Sequence, residues 1–227
     1  MKTTTDYVNQ ICIDFKTSSN PEVAKGQKAY MKHNFEFLGL KTPSRRALQR
    51  PYLHTKSLPE KTYLTEIVDA LWAKPQREFQ YFGQELAVKY IKNHDKKDID
   101  LYSYMISHKS WWDTVDFIAS NLVGSYFKSY PEQRWLVCKV WLESKNIWLQ
   151  RSALLFQLKY KKNLDVELLE YNINQLLGSK EFFINKAIGW ILREYSKTNP
   201  QWVLDFVNST EVSTLSYREA TKYLNIK

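Results

Sequence analysis

Three segments of this sequence each place a tryptophan within about one helical turn of a charged side chain. They combine Trp112 with Asp116, Trp148 with Arg151, and Trp190 with both Lys186 and Arg193. The cations could bind backbone phosphates, and the flat indole rings could press against a sugar or a base. A carboxylate repels phosphate, so Asp116 needs either a chemical role or a structural one. The structural possibilities are a buried ion pair with Arg151 and a cap on a backbone N–H.

Helices are the elements that would position these side chains, and the sequence predicts a chain made of them. Apolar residues recur every three or four positions, as in Phe79, Phe82 and Leu86, which is the helical period and not the alternation of a strand. Prolines follow polar residues at segment starts, as in Asn20-Pro21, where the missing N–H of proline is tolerated. We predict no strand, and helices over residues 4–17, 21–33, 43–54, 59–73, 75–93, 98–107, 110–128, 131–144, 147–161, 165–177, 181–197, 200–208 and 216–224.

The predicted helices form a repeating series of pairs. The second helices of successive pairs begin near residues 75, 110, 147 and 181, so they are separated by 35, 37 and 34 residues. A period in this range with two helices per unit is typical of α-solenoids of the HEAT or armadillo kind. We therefore predict an all-α fold with one domain over residues 1–227, an α-solenoid of degenerate HEAT-like helix pairs, curved with a basic concave face. A globular bundle is the structural alternative.

Equivalent positions of successive repeats stack side by side in a solenoid, so the three tryptophan and charged groups would line one groove. Further basic groups could reach a polyanion bound there: Lys41, Arg45, Arg46, Lys159, Lys161 and Lys162. Among them, Arg45 and Arg46 follow Thr42-Pro43 in the first turn of a predicted helix, whose backbone N–H groups also favour a phosphate.

The composition favours a polyanionic partner. The chain has 33 Lys and Arg against 24 Asp and Glu, a formal net charge of +9, and each phosphate that a cation neutralises releases counterions. It also has 8 Trp, 15 Tyr and 11 Phe, whose ring faces suit bases and sugars as well as protein cores. Charge alone fits a generally basic soluble protein equally well.

Other classes of protein are disfavoured by what the sequence lacks. Cys12 and Cys138 stand alone, and there is no CxxC, HExxH or glycine-rich phosphate loop. We therefore expect no metal ion, no disulfide and no cofactor. The sequence has no apolar run of about 18 residues that could span a bilayer and no signal-peptide pattern at its start. We expect a monomer in the reducing cytoplasm, without a membrane contact.

Four segments resemble the AlkD family of HEAT-like-repeat DNA glycosylases. They are FEFLGLKTP at residues 35–43, SWWDTVD at 110–116, WLQR at 148–151 and KAIGWILREYS at 186–196. The resemblance runs over nearly the whole chain, and the segments occur in order.

The resemblance implies a monofunctional glycosylase that acts in base excision repair on duplex DNA with cationic N3- or N7-alkylated purines, such as 3-methyladenine and 7-methylguanine. The family's site residues fall on Trp112, Asp116, Arg151 and Trp190. We expect Asp116 to stabilise positive charge at C1′ and position the attacking water, the tryptophans to flank the lesion nucleotide, and Arg151 to bind a phosphate. Tyr30 matches an aromatic residue near the lesion. The resemblance also implies that the lesion stays largely stacked.

Trp148, Lys186 and Arg193 complete the predicted DNA-binding surface, together with Lys41, Arg45 and Arg46. Lys186 is more simply a phosphate contact than a lyase nucleophile. Two other functions stay open at this point: a non-catalytic DNA-binding HEAT-like protein that recognises damaged or branched DNA, and a protein-interaction scaffold. Asp116 alone separates the enzyme from the non-catalytic DNA-binding protein, because charge, aromatic residues and curvature fit both.

Overall fold

The computed structural model describes residues 3–224, which form helices and no β-strand beyond an isolated bridge between Glu36 and Gln76. The all-α class predicted from the sequence is confirmed. The chain folds as two compact units, Met1–Asn93 and His94–Lys227. The single domain over residues 1–227 stays a prediction, as does the curvature with its basic concave face.

The described residues of the N-terminal unit, 3–93, form five α-helices and short 3₁₀ turns. The α-helices are α1 Thr4–Thr17, α2 Pro21–Tyr30, α3 Thr42–Gln49, α4 Leu64–Trp72 and α5 Arg77–Ala87, and the 3₁₀ turns are Thr55–Ser57, Lys61–Tyr63 and Val88–Tyr90. Helix α4 packs against α5 and α1, and fully buried side chains such as Phe15 and Phe79, whose rings stack at 5.7 Å, fill the space between helices. The helix predicted from residue 59 begins only at Leu64, because 3₁₀ turns occupy the residues on either side of Pro59.

A buried carboxylate fixes the loop that precedes α3. Glu78 of α5 is fully buried and accepts hydrogen bonds from the backbone N–H groups of Leu38 at 3.0 Å, Gly39 at 2.9 Å and Leu40 at 3.2 Å. Gly39 has a φ of +87°, and a Cβ there would lie 1.9 Å from the carbonyl oxygen of Asn20. The loop therefore depends on both the glycine and the glutamate.

The C-terminal unit contains nine α-helices among the residues that the structure describes. They are α6 Asp98–Ser107, α7 Trp112–Phe117, α8 Gly124–Ser129, α9 Arg134–Glu143, α10 Ile147–Leu155, α11 Val166–Asn174, α12 Phe182–Ser196, α13 Pro200–Ser209 and α14 Thr214–Ala220. Two 3₁₀ turns, Pro131–Gln133 and Lys161–Asn163, lie between them. Helix α10 packs against both α7 and α12, and α12 packs against α14.

The repeat predicted from spacing is present and more regular than expected. Helices α5, α7, α10 and α12 begin at Arg77, Trp112, Ile147 and Phe182, so each starts 35 residues after the previous one. Asp116 and Arg151 are also 35 residues apart. They therefore occupy the same position in neighbouring repeats, on helices that pack together.

The helix predicted over residues 110–128 is interrupted by a π-helical segment, Ile118–Val123, which joins α7 to α8. A π turn leaves backbone carbonyls without their usual α-helical donor. Two side chains donate to carbonyls at the start of this segment, since Ser120 Oγ bonds the Asp116 carbonyl and Asn121 Nδ2 bonds the Phe117 carbonyl, each at 2.8 Å. The segment starts two residues after Asp116.

The Glu78 network predicts that Glu78→Gln destabilises the protein although its shape is kept. The Leu38 N–H lies 3.0 Å from each carboxylate oxygen, so the amide nitrogen of glutamine would face this buried N–H as donor against donor, and we expect a loss of about 1–3 kcal/mol in the free energy of unfolding. Urea denaturation measures it. Glu66→Gln on the exposed face of α4 is the matched control and should stay within about 0.5 kcal/mol of wild type. Equal stabilities of the two variants would contradict the role given to Glu78.

Candidate active site

The structure joins Asp116 to Arg151 through a two-pronged ion pair. Arg151 Nε donates to Asp116 Oδ1 at 2.7 Å, and Nη2 donates to Oδ2 at 2.9 Å. The remaining nitrogen, Nη1, donates to the backbone carbonyl of Phe183. The guanidinium thus contacts α7 and α12 from its place on α10, and the ion pair that the sequence left open as a structural explanation of Asp116 is present.

Both members of this pair are withdrawn from solvent. The side chain of Arg151 is 4% exposed and that of Asp116 is 13% exposed. Burial raises the pKa of the Asp116 carboxyl above its ordinary value, while the hydrogen bonds and charge of Arg151 lower it and the charge of Asp113 raises it. The carboxylate of Asp116 is therefore fixed in position by Arg151. It also takes up a proton more readily than the carboxylate of an exposed aspartate does.

A cluster of aromatic rings lies next to Arg151. The Trp148 and Phe183 rings are 4.9 Å apart, Trp111 lies 5.6 Å from Trp148 and 5.1 Å from Phe183, and the Arg151 guanidinium is 5.9 Å from the Phe183 ring. All three rings are half-buried. Trp148, predicted to contact DNA, therefore packs mainly on other aromatic rings. Sequence analysis missed Trp111 and Phe183, although Phe183 follows Trp148 by one 35-residue repeat.

Trp112 and Trp190 lie on the helices that carry the ion pair and its aromatic neighbours. Trp112 is the first residue of α7 and shares a face with Asp116, four residues later. Trp190 follows Phe183 by seven residues, close to two turns, so it lies on the same face of α12. Both indoles are half-buried, which leaves part of each ring open to solvent.

Lys186 and Arg193 face α14 and share one carboxylate. Lys186 Nζ lies 2.7 Å from Glu219 Oε1, and Arg193 Nη1 pairs with Glu219 Oε2. A Cβ at Gly189 would lie 2.5 Å from the Cβ of Glu219, so the glycine lets α14 approach α12 closely enough for these contacts. The hydrogen bond from Lys186 is the main cause that lowers the pKa of Glu219. Both cations remain predicted DNA contacts, although each already pairs with Glu219.

The candidate residues of the N-terminal unit differ in their access to solvent. Tyr30 ends α2 and is exposed, and Lys41 precedes α3 and is exposed. Arg45 is buried, with Nη2 2.9 Å from Glu85 Oε1, whereas the side chain of Arg46 is 60% exposed and 3.3 Å from the same oxygen. Burial raises the pKa of Glu85, but the hydrogen bond and charge of Arg45, with Arg46 and Gln49, lower it overall. Arg45 therefore acts in the protein interior.

Residues 3–224 contain no group of three or more His, Cys, Asp or Glu side chains placed to hold a metal ion. Within the same range, no helix has both the length and the apolar character needed to cross a membrane. The side chains described above bring together a carboxylate, a guanidinium and indole rings.

Comparison with known proteins relates this chain to a DNA alkylation repair enzyme. A solved structure from Enterococcus faecalis, described as a predicted DNA alkylation repair enzyme, superposes with a TM-score of 0.85 and 35% identity, covering 92% of this chain and 98% of that one. The chain is also 34% identical over 116 residues, 49% of its length, to the potassium/proton antiporter CemA of Marchantia polymorpha. It spans only 24% of that protein, so this second match says little about activity.

The family model of DNA alkylation repair enzymes matches residues 13–224, which include every residue of the candidate site. The matched range covers both compact units and almost all of the described structure. The chain therefore belongs to the DNA alkylation repair enzyme family, as the resemblance in its sequence implied.

Proposed function

We propose that the protein is a monofunctional DNA glycosylase that hydrolyses the N-glycosidic bond of cationic N3- or N7-alkylated purines in duplex DNA. The observation that carries this proposal is a carboxylate, Asp116, held by two hydrogen bonds from a buried arginine and accompanied by two partly open tryptophans. A surface that only bound phosphate would gain nothing from this negative charge. Membership of a DNA alkylation repair family supports the same reaction.

The leaving group needs little activation in this reaction, because an alkylated purine already carries a positive charge. When the C1′–N bond breaks, its electron pair goes to the purine, which leaves as a neutral base. The sugar then develops oxocarbenium-like positive charge, which a nearby carboxylate stabilises. A water molecule forms the new C1′–O bond and gives up a proton. The raised pKa of Asp116 suits this residue to accept that proton.

Arg151 is proposed here as a positioning residue and not as a phosphate contact. Each nitrogen of its guanidinium already donates to Asp116 or to the Phe183 carbonyl, and the side chain is 4% exposed. The phosphate contact expected from the sequence therefore finds no support in this geometry. A two-pronged contact fixes both the position and the orientation of a carboxylate, which is what a group that acts on C1′ requires.

Trp112 and Trp190 are proposed to flank the lesion nucleotide. Indole faces attract cationic groups, with contributions of about 0.5–2 kcal/mol each that grow with desolvation. A cationic purine or the developing sugar cation would gain this attraction, whereas an unmodified neutral base would gain less. The two rings thus offer selectivity for alkylated purines without a deep pocket, and such a site is compatible with a lesion that stays stacked.

A non-catalytic DNA-binding protein is the second candidate function. It is favoured by the same ion pair, because a buried Arg151 also satisfies Asp116 without any chemistry. Removing the charge of Asp116 separates the two functions.

Asp116→Asn should lower base release at least about a hundredfold, because the sugar cation loses its stabilising charge. Binding to undamaged duplex should be unchanged or tighter, since one repulsive charge is removed. The measurement is single-turnover release of 7-methylguanine and 3-methyladenine from methylated duplex DNA, with the bases identified by chromatography. Asp113→Asn, one turn earlier on α7, is the control and should keep near wild-type release at neutral pH. Unchanged release in Asp116→Asn would favour the non-catalytic function.

Arg151→Lys keeps the positive charge but loses the planar fork that holds both carboxylate oxygens. Single-turnover release should fall roughly 10- to 100-fold, because a small misplacement of a catalytic group is costly. The salt dependence of binding to undamaged duplex should stay that of wild type. Arg218→Lys, at an exposed position of α14, controls for the substitution itself. Release at the wild-type rate in Arg151→Lys would contradict the positioning role given to Arg151.

The raised pKa of Asp116 predicts where activity is lost in acid. Release needs the carboxylate, so it should fall as the pH drops through a pKa above the ordinary aspartate value of about 3.9. Arg151→Lys weakens the contact that lowers this pKa, so its acid limb should move to higher pH. Asp113→Asn removes a charge that raises it, so its acid limb should move to lower pH. The test is a pH–rate profile corrected for enzyme-free depurination, and coincident limbs in all three proteins would rule out Asp116 as the titrating group.

A further inference from the structure

We propose that the phosphate backbone of bound DNA follows a basic seam of the C-terminal unit that leads away from the Asp116–Arg151 pair. The seam is defined by Lys128, Arg134, Lys159, Lys161 and Lys162, which lie where α8 meets the chain that follows α10. The inference rests on the proposed function and adds to it a second region of DNA contact.

One tyrosine organises the far end of this seam. Lys128 Nζ lies 4.9 Å from the centre of the Tyr160 ring, and the Arg134 guanidinium lies 5.6 Å from it. The ring is held in place, because the Tyr160 hydroxyl donates to the Gly124 carbonyl at 2.6 Å. Arg134 is held as well, since its Nε donates to the Phe127 carbonyl at 2.9 Å. Lys161 and Lys162 follow Tyr160 directly, and both are exposed.

The seam cations lack the internal carboxylates that other basic residues of the unit have. Lys186 and Arg193 share Glu219, and Lys197 pairs with Glu194. Within the described residues, no ion pair within 4.0 Å joins any of the five seam cations to a carboxylate. Like charges that lie together without counter-charges repel one another. The phosphates of a polyanion bound to the seam would supply these counter-charges.

Helix ends explain part of this arrangement. A lysine in the last turn of a helix is favoured by about 0.3–1 kcal/mol, and Lys128 lies in the last turn of α8. Arg134, however, is the first residue of α9, where the positive end of the helix disfavours a cation. Its guanidinium instead reaches the last turn of α8, where Nε donates to the Phe127 carbonyl, so Arg134 and Lys128 both lie at the negative end of that helix.

The π-helical segment brings the seam into line with Asp116. Lys128 is twelve residues after Asp116, and in a regular α-helix their side chains would point about 120° apart. The wider π turn of Ile118–Val123 takes up about one extra residue. The separation is then equivalent to about eleven regular residues, close to three full turns, so the two side chains share a face about 17 Å apart.

Hydrogen bonds along the helix agree with this alignment. Between Asp116 and Lys128, Asn121 Oδ1 accepts a hydrogen bond from Lys159 Nζ at 2.6 Å, and the Gly124 carbonyl accepts one from Tyr160. The side of α7 and α8 that faces Arg151 at one end therefore faces Lys159 and Tyr160 farther along. At about 3.4 Å per nucleotide along a strand, 17 Å is about five phosphates, which lies within one DNA footprint.

The test removes three exposed seam cations together, Lys128→Ala, Lys161→Ala and Lys162→Ala, and leaves Arg134 and Tyr160 to hold the structure. Each lost phosphate contact lowers the salt slope of binding by about 0.9. We expect the slope for an undamaged duplex to drop by about two to three, and the Kd at low salt to rise roughly tenfold or more. Single-turnover base release at sub-saturating protein should fall together with the affinity, because the seam acts through binding and does not touch the reacting atoms.

The matched control removes three exposed lysines on other elements, Lys139, Lys197 and Lys222, and so changes the net charge equally. A salt slope equal to wild type in the seam variant, or the same drop in the control variant, would overturn the seam. Thermal unfolding of both variants shows that each is folded. Failure of the proposed function is distinguishable, because it appears as no base release by the wild-type protein whatever the salt slopes are.

Discussion

The guanidinium of Arg151 connects helices of three successive repeats, and the candidate site depends on that connection. It binds the Asp116 carboxylate on α7, the Phe183 carbonyl on α12, and is itself carried by α10. A buried carboxylate without a partner would be expensive to maintain, so the arginine makes the burial of Asp116 possible. The carboxylate in turn satisfies the arginine. Removing either side chain leaves a buried charge alone, which is why conservative substitutions are the informative ones here.

The basic side chains of the protein differ in whether an internal carboxylate already pairs with them. Several cations that the sequence marked as DNA contacts are already paired, with Glu219 holding Lys186 and Arg193, and Glu85 holding Arg45. Proximity to a tryptophan in sequence therefore does not identify a free cation. The cations that lack a carboxylate partner within residues 94–224 include those of the seam, which no tryptophan marks. The net charge of +9 fitted a polyanionic partner and a generally basic protein equally well, and the placement of carboxylates decides which cations could contact DNA.

Much of the fold was predictable because it is encoded locally and repeats. Helical periodicity and proline starts located most helices, and the predicted spacings of 34 to 37 residues indicated the repeat. The uniform 35-residue spacing, which puts Asp116 and Arg151 in equivalent positions, comes from the structure. The π segment was not predictable, since its wider turn leaves no distinctive local pattern in Ile118–Val123. Glu219 was missed for another reason. It lies on α14, outside the repeating second helices, and its contact depends on the close approach of two helices at Gly189.

The burial of Arg151 also means that the site is ordered during folding and not on substrate binding. Its side chain would lose considerable rotamer freedom on binding a substrate if it were mobile beforehand. Here the helix packing has already fixed it against Asp116 and the Phe183 carbonyl before any DNA arrives. The entropy of arranging the carboxylate is thus lost once, during folding, and the proposed reaction would use a negative charge that is already preorganised. In that proposed reaction, the binding energy of the surrounding surface would be left for holding the DNA.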